Sequence, residues 1–88
     1  KPGFEVDFLT RGSIADEMHS HDNHEVLMPM RGHWTLRLDG YETVLNPGDT
    51  ALINPQEAHA LAPSMTGEAS LYRVTATDDP AGATWTAN

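Results

Sequence analysis

The sequence contains no cysteine, which excludes disulfide bonds and a thiolate metal site. Basic residues are also scarce, with five Lys and Arg against thirteen Asp and Glu, for a formal net charge of −8. Nucleic acids and anionic membranes both bind clustered basic side chains, so neither is an expected partner. The acidic composition mainly favours solubility.

Long apolar runs are missing as well, and no signal peptide or membrane-spanning segment is evident. We therefore expect a soluble, cytoplasmic protein. Because the sequence begins at Lys1 rather than Met, an excerpt of a longer chain is the alternative. The 88 residues make a single domain with a small core, and we predict a homodimer that buries an outer sheet face.

No stretch has the apolar period of an amphipathic helix, and apolar residues instead alternate in short segments. Roughly eight strands are predicted, over residues 4–9, 14–21, 25–30, 33–38, 41–45, 50–54, 58–62 and 69–77. The strongest hairpin signal is Asp39-Gly40. In the first strand, Phe4, Val6 and Phe8 share one face, which we expect to be half-buried. An antiparallel all-β sandwich or barrel follows.

The core of this single domain is predicted to span residues 4–77. Residues 78–88 are rich in Ala, Thr, Gly and Pro and should form an irregular tail. Trp85 either anchors that tail or is disordered with it.

The most informative segment is residues 19–25, which reads His-Ser-His-Asp-Asn-His-Glu. Neutral imidazole is the commonest metal ligand, and a Glu oxygen adds a hard anionic donor. On a strand, His19 and His21 project to the same face. A loop at residues 22–24 would make Glu25 a cross-strand neighbour of His21 and leave His24 outside the cluster. The alternative is a solvated polar turn.

A further ligand should come from elsewhere in the chain, where His33 and His59 remain. His59 is the better candidate, since it follows a turn, a short apolar strand and a second turn led by Pro55. His33 begins a separate strand and is expected to face solvent.

These residues resemble the cupin family, whose first motif is Gly, a spacer, His-x-His, three or four residues, Glu, six residues, Gly. Here the motif runs from Gly12 through His19, His21 and Glu25 to Gly32, with a first spacer one residue longer than usual. The second motif is matched by Gly48-Asp49, Pro55 and His59, while Glu57 replaces a Gly and Pro63 replaces an Asn. The resemblance covers roughly residues 4–77.

The resemblance implies an antiparallel double-stranded β-helix, or jelly-roll barrel, holding one divalent ion on His19, His21, Glu25 and His59. Mixed imidazole and carboxylate ligation suits Fe, Mn, Ni, Cu or Zn, and the sequence does not choose among them. Possible pocket-lining residues are Leu27, Met28, Met30, Arg37 and Tyr72. The alternatives are barrel core for the apolar side chains and a solvent-facing position for Arg37.

Cupins include dioxygenases, lyases, isomerases and sugar-sensing modules of regulators. Our first hypothesis is a metal-dependent enzyme acting on a small oxygenated or carboxylated metabolite, with dioxygenase chemistry ahead of lyase or isomerase chemistry. The alternative is a non-catalytic module of a regulator that binds a small molecule. An intact ligand set favours the enzyme, because a pure sensor can dispense with metal.

Overall fold

The computed structural model describes residues 3–13 and 18–77, and these residues form strands and one short 3-10 helix. The strands are β1 (Gly3–Thr10), β2 (Glu25–Arg31), β3 (Trp34–Leu38), β4 (Tyr41–Leu45), β5 (Ala51–Ile53), β6 (His59–Pro63) and β7 (Ser70–Thr77), and the 3-10 helix, Arg11–Ser13, follows β1. Their bounds lie within one residue of seven of the predicted strands. The all-β prediction is therefore confirmed.

The predicted strand over residues 14–21 is different. Residues 14–17 lie outside the described part of the chain, and in residues 18–21 only His19 takes part in a β-bridge. The predicted tail at residues 78–88, with Trp85, also lies outside the described part.

The strands make two antiparallel sheets. One has the order β1-β7-β2-β5 and the other β4-β3-β6. Among the described strands no ladder runs from one sheet into the other, so the barrel is not closed. A single bridge between His19 and His59 ties the segment before β2 to β6. Within the described ranges there is no helix long and apolar enough to cross a membrane.

The core lies where the two sheets face each other. Its centre is Trp34, which is fully buried and whose Nε1 donates to the carbonyl of Ser70 at 3.1 Å. That bond satisfies the one polar atom that burial of an indole would otherwise leave unpaired. The other buried apolar residues of the cluster are Leu27, Leu36, Leu45, Ile53, Leu61, Ala69 and Leu71.

Two turns depend on glycine. Gly40, with a φ of 75°, closes the predicted hairpin between β3 and β4. Gly32, with a φ of 67°, is also packed so tightly that an added Cβ would lie 2.6 Å from the carbonyl oxygen of Glu68 and 2.9 Å from Oγ of Ser64. Neither the left-handed conformation nor this contact accommodates a larger residue without strain.

The orientation of β1 corrects the sequence prediction. Phe4, Val6 and Phe8 do share one face, but that face is exposed, at 62%, 60% and 56%. The opposite face carries Asp7, which accepts a hydrogen bond from Nη2 of Arg73 on β7 at 3.2 Å. A period of two fixes which residues share a face and not which face turns inward. Here the ion pair makes an inward acidic face tolerable.

Candidate metal centre

The site is assembled by a backbone pairing between His19 and His59. The amide of His19 donates to the carbonyl of His59 at 2.9 Å, and the amide of His59 donates back at 2.8 Å. This antiparallel bridge sets the two residues opposite each other, with ring centroids 4.5 Å apart. Two histidines distant in the sequence therefore present their imidazoles to one place.

His21 completes a cluster of three imidazoles. Its ring centroid lies 4.7 Å from that of His19 and 5.2 Å from that of His59. Each ring offers one ligand nitrogen such that all three nitrogens lie within 4.8 Å of one another. Three nitrogen donors thus surround a common point.

Glu25, at the start of β2, brings a carboxylate to the same cluster. It is buried, with 3% of its surface exposed. Its Oε2 lies 3.3 Å from Nε2 of His21, and its Oε1 lies 3.5 Å from Nε2 of His59. A buried carboxylate is costly unless positive charge or hydrogen-bond donors compensate it. The fold therefore places all four predicted donors together.

The tautomer of neutral His59 follows from its backbone contact. Nδ1 lies 2.9 Å from the carbonyl oxygen of Glu57. A carbonyl can only accept, so Nδ1 carries the proton and Nε2 presents a lone pair toward Glu25. Two acceptors, Nε2 and Oε1, then face each other at 3.5 Å. A cation between them would turn this repulsion into attraction, and a histidine held by its other ring nitrogen is typical of metal sites.

His21 has the second unsatisfied nitrogen. Its Nε2 is buried and makes no hydrogen bond. Burial lowers the pKa of His21 below 6.5, and the neighbouring His19 and His59 lower it further, against the opposing effect of Glu25. The ring is therefore kept neutral, as a metal ligand must be. The donor set fits a divalent transition-metal ion.

A small cavity of about 30 Å³ adjoins these side chains. Besides His19, Glu25 and His59 it is lined by Leu9, Leu27, Leu61 and Arg73. This volume is enough to hold a water molecule. The cavity therefore combines the polar side chains of the centre with an apolar wall of three leucines.

The loop before β6 and strand β7 both hold the His21 segment in position. The amide of Gln56 donates to the carbonyl of His21 at 2.6 Å, and its side-chain amide donates to Asp22. From the other side, the side-chain amide of Asn23 donates to the carbonyl of Ala76. These contacts fix residues 21–23 independently of any strand pairing.

The turn that aims His59 is built differently from the family motif. The left-handed residue is Gln56, with a φ of 67°, and Glu57 follows it. Glu57 closes the turn, because its amide donates to the carbonyl of Asn54 at 3.2 Å and its carboxylate accepts from the amide of Asn54 at 3.1 Å. Its own carbonyl then holds His59. A Glu at this position therefore supports the histidine it precedes.

Sequence reasoning missed the supporting roles of Gln56, Glu57 and Arg73. One signal was available, since Pro55 at the second position of a turn favours a positive φ at the third, here Gln56. The contacts of Glu57 and Arg73 come from tertiary structure, and no local pattern carries them.

The predicted pocket-lining residues are divided between two faces of the sheets. Leu27 lines the cavity. Met28 and Tyr72 are paired on the outer face, where Tyr72 packs against Phe8, and Met30 is 51% exposed. Arg37 borders a groove on the outer side of the other sheet, on the face opposite to Trp34.

Two histidines lie outside the three-imidazole group. His24 belongs to the loop before β2, where its carbonyl accepts from the amide of Ala76 at 3.1 Å. His33 is exposed, as its place before β3 predicted.

Comparison with known proteins gives the family. The model of the AraC-like ligand binding domain family matches residues 7–78. Since this is most of the chain, the protein belongs to that family. No match was found among curated proteins.

Solved structures give the same fold. A protein from Neisseria meningitidis superposes with a TM-score of 0.72 at 19% identity, over 85% of this chain and 76% of that one. An RmlC-like cupin from Shewanella frigidimarina has a TM-score of 0.70 at 19% identity, over 83% of this chain and 65% of that one. FeII HppE has a TM-score of 0.66 at 19% identity, over 84% of this chain and 42% of that one. The chain thus has the cupin fold, and it spans less than two thirds of the length of the last two proteins.

Proposed function

We propose that this domain binds one divalent transition-metal ion on His19, His21, Glu25 and His59 and presents it to the end of a small oxygenated or carboxylated metabolite. The observation that carries the proposal is the approach of Nε2 of His59 to Oε1 of Glu25, at 3.5 Å, while Nδ1 of His59 contacts the carbonyl of Glu57. Both atoms are buried with their residues. Nε2 of His21 supports the same proposal, because it is buried without a hydrogen bond and lies 3.3 Å from Oε2 of Glu25.

The ion, when bound, would supply a Lewis acid that polarises an oxygen of the ligand. The protein contributes the rest. The carbonyl of Glu57 keeps the proton of His59 on Nδ1, and Glu25 supplies negative charge. Leu27 and Leu61 exclude water, so electrostatic interactions in the cavity are stronger than in solution.

Fe, Mn, Ni, Cu and Zn all suit this donor set, and the similarity to FeII HppE favours iron. The test is metal analysis of protein purified without chelators and without a nickel column. We expect about one ion per chain, and we expect His21→Ala to lose it. His24→Ala is the matched control and should retain it. Protein that neither contains metal nor binds added Fe, Mn or Zn would refute the proposal.

Catalysis, with dioxygenase chemistry ahead of lyase or isomerase chemistry, is the first interpretation of such a centre, and the intact donor set supports it. The second is a sensor module, which the match to AraC-like ligand binding domains favours. Oxygen uptake and product analysis of the iron-loaded protein separate them when a panel of small hydroxy and oxo acids is supplied. Turnover of any member supports the enzyme, whereas saturable binding of a member without turnover supports the sensor.

The domain is also proposed to form a homodimer through the outer face of the four-stranded sheet. Phe4, Val6 and Phe8 are exposed there beside Tyr72, and Leu52 on β5 is 52% exposed. The rings of Phe8 and Tyr72 already pack together in a tilted arrangement, with centroids 5.1 Å apart. A contiguous apolar patch on a small acidic domain is typical of an interaction surface, and a second copy would bury it symmetrically.

A further inference from the structure

Among the described residues that line the cavity, Arg73 is the one permanently charged cation. It lies on the inward face of β7, opposite Asp7 on β1 and Leu27 on β2. Its Nη2 donates to Oδ2 of Asp7 at 3.2 Å. The guanidinium is therefore anchored at one nitrogen and borders the metal centre.

A second nitrogen of the same side chain is unsatisfied. Nε of Arg73 is buried and makes no hydrogen bond. A buried charged donor without an acceptor is destabilising, so proteins seldom retain one without a partner. Because Arg73 is one of the residues that line the cavity, a ligand bound there can supply the missing acceptor.

We propose that Nε of Arg73 recognises the carboxylate of the ligand that binds at the metal centre. The inference rests on the proposed function and makes it more specific, because it selects a monocarboxylate over a neutral sugar or alcohol. Asp7 accepts from Nη2, which orients the guanidinium, and Nε has no hydrogen-bond acceptor. Arg73 acts on the ligand directly and not through a metal ligand.

Charge in the site favours a single negative charge on the ligand. A divalent ion with Glu25 leaves a net charge of +1, and the pair of Arg73 with Asp7 adds none. One carboxylate neutralises the remainder, and a hydrogen bond between two ionised groups is stronger than one between neutral groups. A phosphate dianion would exceed that charge.

The test uses full-length protein loaded with Co²⁺, whose visible absorption reports ligands that reach the metal. Acetate and its neutral isostere acetamide are titrated at constant ionic strength. We expect acetate to bind at least about tenfold more tightly than acetamide, and Arg73→Gln to weaken acetate about ten- to hundredfold without changing acetamide. Arg37→Gln, which removes a cation from the other sheet, is the matched control and should change neither.

Two further variants separate recognition from stability. Arg73→Lys keeps a cation but lacks Nε, and we expect it to lose most of the acetate preference. Asp7→Asn breaks the ion pair but leaves Nε in place, and we expect it to bind acetate as well as wild type. If Asp7→Asn weakens acetate as much as Arg73→Gln, the pair is structural and the inference is overturned.

The Co²⁺ affinity of each variant is measured separately, by competition with a chelator. Failure of wild type to bind Co²⁺ would count against the metal centre itself. Tight Co²⁺ binding with equal acetate affinity in wild type and Arg73→Gln would overturn only the role of Arg73.

Discussion

The amide of Gln56 and the carbonyl of His21 are joined by a hydrogen bond of 2.6 Å. This bond connects the segment that carries His21, before β2, to the loop that precedes His59 on β6. Gln56 makes it from a left-handed conformation that glycine would adopt more easily. The strain is therefore located at the contact that sets the distance between His21 and His59.

Gln56→Val should lower the free energy of unfolding by about 1–2 kcal/mol, because a β-branched residue is poorly accommodated at a φ of 67°. It should also weaken metal binding, since the His21 loop loses its support. Urea denaturation and isothermal titration with Zn²⁺ measure the two effects. Gln56→Asn, which tolerates positive φ, is the control, and equal losses in both variants would contradict the role of backbone conformation.

Metal should stabilise wild type against heat. The free energy of unfolding should rise by about 1.4 kcal/mol for each tenfold increase of free ion above the dissociation constant. His21→Ala and His59→Ala should abolish this gain. His24→Ala should keep most of it, because His24 lies outside the imidazole cluster. Differential scanning fluorimetry against Zn²⁺ concentration measures the gain. A complete loss in His24→Ala would mean that the ligand set includes the loop histidine.

The metal-free protein should lose stability as pH falls below about 6.5. Burial lowers the pKa of His21 in the folded state, so the unfolded chain takes up the proton first. The contribution of His21 to the free energy of unfolding is then constant above its pKa in the unfolded chain. As pH falls below that value, the contribution declines until the pKa of the folded state is passed. Urea titrations between about pH 7.5 and 5.5 test this. His21→Asn should flatten the decline, and an unchanged slope would exclude His21 as its source.

Gly32→Ala should destabilise the protein more than Gly40→Ala. Both positions have positive φ, which costs a non-glycine residue about 1–2 kcal/mol. Only at Gly32 would the new Cβ also meet a backbone carbonyl, at 2.6 Å, whereas nothing lies within 4 Å at Gly40. Thermal denaturation of the two variants measures the difference. Equal effects would show that the loop backbone at Glu68 moves aside.

Phe8→Glu should convert the proposed homodimer to monomer, because it places a charge in the centre of the apolar outer face. Val44→Glu, at a 50% exposed position on the other sheet, should leave the dimer intact. Size-exclusion chromatography with light scattering at micromolar concentration measures both. A wild-type monomer under these conditions would refute the dimer.

Local pattern was sufficient for seven of the roughly eight predicted strands, because alternation and turns such as Asp39-Gly40 are short-range signals. It failed for the face of β1, where the inward position of Asp7 depends on Arg73, far along the chain. The spacing of His19, His21 and Glu25 was readable because neighbours on one segment share its geometry. The contributions of Gln56 and Arg73 to the site could not be predicted from the sequence. They depend on a loop contact and on an unpaired nitrogen that exist only in the folded protein.

Because of the bridge between His19 and His59, metal binding should also affect how firmly the two sheets are held together. It is the pairing that ties the segment before β2 to β6, and its two residues are also proposed ligands. An ion held by both rings and by Glu25 would act as a reversible cross-link between the sheets. The free energy of the opening that exposes the amides of His19 and His59 to hydrogen exchange should then rise by the full binding free energy of the metal. Unfolding should also become more cooperative with metal than without it.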